Sequence, residues 1–369
     1  MSKPTPTFEP TQDIAGKAQT VLGLVDPGDL GITLPHEHLL IDVSIWFVDP
    51  KDPGAKRHAS EPVGLENLGW IMYNQYSNFD NMRLSDEDLT IQEATLFKKQ
   101  GGSTIVDVTS IGLGRNPAAL RRISEATGLH VIAGSGYYVL RGEEAEAFDR
   151  KSEEEIANEI ISDIVTGIDG TDIRAGIIGE IGCSWPLLDR EKTCLRAAAC
   201  AQQQTGAAIT IHPGRGEDSP MEILRTLESA GADLTRVIMG HLDRTGFLPE
   251  TIREIAQTGC GLEYDLFGSN PFYPLHLGVF RRPCDRERIE QIKDLIDDGF
   301  LDQIFISQDI CLKTKLVRYG STGYAHILNN MLPQMLAREI TSEDIETIMV
   351  QNPRRLLSFQ QTPHCLSIS

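Results

Sequence analysis

Two spacings of apolar positions take turns along the chain. Ser85 to Lys99 repeat their apolar side chains at helical intervals behind the start signal Ser85-Asp86-Glu87-Asp88, stop at Gly101-Gly102, and give way to the short run Thr104-Ile105-Val106-Asp107-Val108. The exchange recurs: Asn116 to Thr127 before His130 to Gly134, Ser152 to Thr166 before Ala175 to Glu180, and Asp189 to Gln204 before Ala207 to His212. It continues with Met221 to Ala230 before Val237 to His241, Pro249 to Gln257 before Gly261 to Asp265, and Asp285 to Asp298 before Ile304 to Asp309. An earlier apolar run, Leu39-Leu40-Ile41, is opened by Pro35-His36-Glu37-His38 and brings the strands to eight. Apolar strands alternating with helices build parallel βαβ units, and eight of them predict an α/β fold closed as a (β/α)8 TIM barrel. A doubly wound open sheet is the alternative; no Gly-rich dinucleotide loop follows the first strand and no P-loop occurs, which disfavours it.

Around this rhythm the rest of the chain reads as attachments. Residues 1–16 are Pro/Thr-rich and read as a flexible arm, leaving 17–369 as a single domain. Thr20 to Val25, the turn at Asp26-Pro27-Gly28 and Gly31 to Leu34 read as a short β-hairpin feeding the first strand. From Trp46 to Met82 no period is clear, and the segment reads as a long excursion above that strand. Two extra helices, Tyr324 to Arg338 and Ser342 to Leu357, end the fold. Composition narrows the partners: a net charge of -19 argues against nucleic acid and anionic membrane surfaces, and no apolar window is long enough to span a membrane. The seven cysteines show no CxxC spacing and read as reduced thiols in a cytoplasmic setting, which removes cysteine-bound zinc from consideration.

The barrel reading gives its polar strand ends a meaning. Active sites of such barrels lie at the C-terminal ends of the strands. There the sequence places His36 and His38 side by side on strand one, Glu180 on strand four, His212 on strand five, His241 on strand six and Asp309 on strand eight. Singly, each has a structural explanation: Glu180 could cap a turn, His212-Pro213-Gly214 is turn-like, His241 could be a core histidine, and Asp309 could cap a helix. Together, four imidazoles and two carboxylates suit two divalent ions about 3.5 to 4 Å apart. His36, His38 and Asp309 are assigned to one ion, His212 and His241 to the other, and Glu180 lies between them. Zinc is the default for these ligands, with manganese, iron or cobalt as alternatives.

Those motifs, with Gly179-Glu180-Ile181-Gly182, Ile211-His212-Pro213-Gly214, Gly240-His241-Leu242-Asp243-Arg244 and Leu262-Glu263-Tyr264-Asp265-Leu266-Phe267-Gly268, resemble the phosphotriesterase family of the amidohydrolase superfamily, and within it the phosphotriesterase-related branch. The resemblance implies a binuclear metal hydrolase. Phosphotriesterases and related lactonases carry a carboxylated lysine on strand four where this chain has Glu180, so the resemblance points away from organophosphates. It points instead to hydrolysis of small N-acyl amides, with N-acetyltaurine the favoured substrate of animal members. A bridging hydroxide would attack the carbonyl while Asp309 shuttles its proton to the leaving nitrogen. Arg215 and Arg244, then Lys313 and Lys315, are the candidate cations for a substrate anion; Tyr138 and Tyr264 are candidate pocket walls. Lactone, ester or phosphoester hydrolysis at the same site, or a ligand-binding barrel without catalysis, are the competing functions. A homodimer is compatible with the pattern.

Overall fold

The computed structural model describes residues 14–269 and 282–361. Most of the expected N-terminal arm, and with it His276 and His364, therefore lies outside the described residues. Eight short strands form one parallel order. Naming all strands in chain order, Ala18–Thr20 (β1) and Gly23–Val25 (β2) form the hairpin, and Thr33–Glu37 (β3) opens the barrel. Ile41–Asp42 (β4) and Arg83–Leu84 (β5) pair antiparallel. The barrel continues through Thr104–Asp107 (β6), His130–Ser135 (β7), Ile177–Gly182 (β8), Ile209–His212 (β9), Val237–Met239 (β10), Gly261–Tyr264 (β11) and Ile304–Ile306 (β12). Parallel pairing runs from β3 through β6 and onward to β12, and hydrogen bonds between the β3 and β12 ends close the ring, so these residues build the barrel and not the open sheet.

Local chemistry explains the helices between the strands. Asp86 caps Glu87–Lys99 by accepting from Leu89 N, Asn116 caps Pro117–Thr127 through Ala119 N, and Ser152 with Glu155 forms a reciprocal capping box at Glu153–Val165. Pro117–Thr127 stops at Gly128, whose φ of +67° suits glycine. The strands alternate as expected: Val106, Ile132, Ile177, Ile238 and Phe305 fill the barrel interior, while Ile105, Val131, Leu262 and Ile304 pack outward in the helix layer. Leu356 and Leu357 of the last helix and Ala18 of the hairpin join the interior cluster.

Several expectations need correcting. The hairpin turns at Val21-Leu22, not at Asp26-Pro27-Gly28, which forms a separate turn with Asp26 accepting from Gly28 N. The excursion after strand one contains a helix, Leu65–Tyr73, and its chain returns to the barrel through the β4–β5 pair. The two C-terminal helices are each interrupted by a wide π-type turn, Ile327–Met331 and Thr347–Gln351, and a proline follows both. Pro333 and Pro353 have no N–H to give, so the regular ladder cannot run through them. Among the described residues, no helix is long and apolar enough to cross a membrane.

The seam between β3 and β12 closes without a regular backbone ladder. The Ser307 hydroxyl accepts from His36 N at 3.2 Å and lies 2.8 Å from the His36 carbonyl, and Asp309 N donates to that same carbonyl at 3.3 Å. The other end of the barrel is fastened by a buried arginine. Arg236 donates to the carbonyls of Gly206, Leu356 and Ser358 at 3.2, 2.7 and 2.8 Å, tying the last helix under the strands. Burial pushes its guanidinium down to about 10. Arg236→Met should leave those carbonyls without a partner and cost about 2–4 kcal/mol, seen as a lower urea midpoint with an unchanged slope.

Candidate metal centre

β3 delivers two histidines to the mouth of the barrel from one face. His36 lies within the strand and His38 one residue past its end, with ring centroids 5.9 Å apart, while Glu37 between them turns toward the seam. Glu180 comes from an irregularity in β8, where pairing with β9 slips between Ile178 and Ile181. Gly179 permits it: its φ is +112°, and a Cβ there would sit 2.3 Å from the Thr210 carbonyl oxygen. His212 ends β9. His241 and Asp309 lie beyond the ends of β10 and β12, where the strands were expected to contain them, with φ of +58° and +47°. Such left-handed backbone is rare for residues with a side chain and clusters at functional sites.

All six side chains meet around Glu180 or beside it. Its Oε2 is 2.9 Å from His212 Nδ1, 3.5 Å from His241 Nε2 and 3.6 Å from His36 Nε2, and its Oε1 is 3.6 Å from His38 Nε2. Asp309 Oδ1 stands 3.4 Å from His38 Nε2. The donor atoms of His36, His38 and Asp309 lie within 4.8 Å of one another, and so do those of Glu180, His212 and His241. These are the two triads the strand ends suggested.

A second layer fixes which nitrogen points inward. Glu263 faces His36 Nδ1 at 3.0 Å, Asp265 faces His241 Nδ1 at 2.8 Å, and Thr109 Oγ1 faces His38 Nδ1 at 2.9 Å. The Thr109 hydroxyl also donates to the Leu40 carbonyl at 3.2 Å, so its lone pair is left for the imidazole N–H. Each of these histidines therefore turns Nε2 toward the centre, the arrangement that prepares an imidazole for a metal. His36 Nε2 is fully buried and has no hydrogen-bond partner. An orphaned imidazole nitrogen beside a carboxylate and two other imidazoles fits a bound divalent cation.

Ionisation follows the same pairing. Burial opposes a charge on Glu180, yet His212, His241 and His36 hold its pKa well below the usual carboxylate range. Asp309 is held low by Lys315, His38 and His241, again against burial. Burial would depress His36, but Glu263 and Asp265 outweigh it and raise it well above a free imidazole. His212 goes the other way: burial, Arg244 and His241 together keep it neutral.

Above the centre is a cavity whose lining mixes apolar and cationic side chains, among them Ile41, Val43, Trp46 and Leu113 with Arg215, Arg244, Arg282 and Lys315. Tyr138 belongs to this cavity, its hydroxyl accepting from Trp46 Nε1 at 3.2 Å and lying 3.3 Å from His212 Nε2. The structure corrects two sequence assignments, Tyr264 and Lys313, and keeps Arg244 in the cavity lining. Tyr264 faces outward into the helix-packing core and is absent from the cavity, because along β11 it is Glu263 that points inward. Lys313 pairs with Asp80 at 2.6 Å instead of facing the site. Arg244 directs one N–H to His212 Nε2 at 2.6 Å and another to the Pro213 carbonyl, so part of it is already committed. Glu263, Asp265, Thr109 and Arg282 were missed. The alternation that paired His36 with His38 applies equally to Glu263 and Asp265, and would have found them.

The model of the phosphotriesterase family matches residues 16–357. The chain belongs to the phosphotriesterase family. It is 42% identical over 348 residues to the N-acetyltaurine hydrolase of Bos taurus, covering 94% of this chain and 99% of that one. A phosphotriesterase-related protein of Nematostella vectensis is 44% identical over 350 residues, again covering 94% and 99%. Among solved structures, a resiniferatoxin-binding protein from Rhodobacter sphaeroides superposes with a TM-score of 0.89 at 38% identity, covering 93% of this chain and 95% of that one. The phosphotriesterase homology protein of Escherichia coli, crystallised with phosphate in its active site, gives 0.73 at 29% identity, covering 90% and 100%. This phosphotriesterase-family chain is a metal-dependent hydrolase.

Because His36 holds a proton more tightly than a free imidazole, a metal ion has to displace it. Zn2+ affinity should therefore weaken as pH falls, and calorimetry in buffers of different ionisation enthalpy should register proton release on loading. His212→Ala should lose bound metal in elemental analysis while keeping the circular dichroism of a folded barrel.

Proposed function

We propose that this protein holds two divalent cations and hydrolyses the amide of a small N-acyl substrate that carries an anionic group, N-acetyltaurine being the first compound to test. The observation that carries the reading is the meeting of both triads at Glu180 beneath a cavity lined by both cationic and apolar side chains. The relatives named N-acetyltaurine hydrolase support the choice of substrate. When bound, the cations would polarise the scissile carbonyl and make water acidic enough to ionise near neutral pH. His36, His38 and Asp309 would hold one, His212 and His241 the other, with Glu180 shared.

The chain's own groups do the rest. Asp309 is kept ionised by Lys315 and the histidines beside it, so it can take a proton from the attacking water. It then returns that proton to the departing nitrogen, which an amide needs because an unprotonated amine leaves poorly. Arg215 and Arg282, which both line the cavity, would supply the positive charge that a substrate sulfonate or carboxylate calls for. Ile41, Val43, Leu113 and Trp46 receive the acyl group and exclude water from it.

The deciding experiment assays metal-loaded protein against N-acetyltaurine, N-acyl amino acids, lactones and an aryl phosphotriester. Amide turnover that exceeds the others in kcat/KM is expected; a lactone or phosphotriester in first place overturns the amide assignment. Asp309→Asn should lower kcat by about 10²–10⁴-fold with metal largely retained. Arg215→Met should raise KM for the anionic amide and leave a neutral ester analogue nearly unaffected.

A further inference from the structure

Asp309 sits in left-handed backbone, φ +47°, a conformation uncommon for any residue with a side chain, and its neighbours fix it there. The groups that do so can be named. Glu37, fully buried, places Oε1 2.8 Å from Ser307 Oγ and 2.8 Å from Gln308 N, and its Oε2 accepts from Ile310 N at 2.9 Å. One carboxylate thus grips the amides on both sides of Asp309. The amide of Asp309 itself goes to the His36 carbonyl. Lys315 Nζ in turn donates to the carbonyl of Gln308 at 3.1 Å and to that of Asp309. Glu37 and Lys315 each make two bonds to the backbone of this turn, Glu37 to its N–H groups and Lys315 to its carbonyls.

Glu37 stands between His36 and His38, so its carboxylate is anchored to the two histidines that share a triad with Asp309. We propose that Glu37 is the positioning residue of Asp309: it measures off the last strand's aspartate against the first strand's histidines, with Lys315 as the counter-clamp. The inference rests on the reading of Asp309 as the proton-transferring group. A clasp that only closed the barrel would have no reason to take the amides immediately before and after that residue, since the Ser307 bonds to His36 already join the two strands.

Glu37→Gln tests this, because the amide keeps the shape but turns an NH2 group against a backbone N–H. The Co2+-loaded protein gives a readout independent of turnover, through the visible absorption of the ion that Asp309 would share with His36 and His38. Glu37→Gln should change that spectrum, and should lower kcat for N-acetyltaurine by about 10- to 100-fold with KM within about threefold. In an Asp309→Asn background the same substitution should change neither spectrum nor kcat further, as coupled residues require. Lys315→Met, alone and with Asp309→Asn, should repeat the spectral pattern and serves if Glu37→Gln does not fold. An equal effect of Glu37→Gln in both backgrounds, or a wild-type spectrum with wild-type kcat, overturns the proposal. Undiminished turnover in Asp309→Asn alone would instead sink the role given to Asp309, whatever Glu37 does.

Discussion

The structure depends on making a large number of ionisable groups tolerable inside a barrel. Glu180, Glu263, Asp265, His36, His38 and His241 are all at most 2% exposed, and any one of them alone would be costly to bury in charged form. They are acceptable because each carboxylate faces imidazoles and each imidazole faces a carboxylate or hydroxyl on its outer side. The positive-φ backbone that Gly179 permits, and that His241 and Asp309 adopt despite their side chains, is what brings these groups to a common centre. Nowhere else among the described residues does the chain gather groups of three or more such ligands.

That balance also divides labour among the charges. The outer carboxylates Glu263 and Asp265 keep Nδ1 of their histidines occupied, which leaves the inward nitrogens available. Arg244 acts on the opposite sign, helping burial to keep His212 neutral. A centre made only of its six inner side chains would have freely turning rings and mixed tautomers; the outer layer removes both freedoms.

The sequence showed the barrel and its inner ligands because both follow short-range rules. Alternating helices and apolar strands announce the fold, and a polar residue closing an apolar run announces a strand end facing the site. Glu37, Glu263 and Asp265 obey the same period-two rule, yet went unassigned because their partners are hundreds of residues away or on a neighbouring strand. The left-handed backbone of Asp309 has only a weak local signature, since Gln308-Asp309-Ile310 contains no glycine and aspartate adopts many other conformations. Leu65–Tyr73 hid as a helix because its start is a glycine without a side-chain cap and Gly69 lies in its middle. Arg282 could not be connected to the site, because the order of residues along a loop does not reveal which cavity the loop borders.

The donor set has a temporal implication as well. His36 and His38 leave the ribosome early, and Asp309 emerges only after the other strands. A nascent chain can therefore gather imidazoles long before it owns the aspartate that completes the first triad. A cation held by all three of these side chains would require the final strand to have docked beside the first, so its occupancy would report finished assembly.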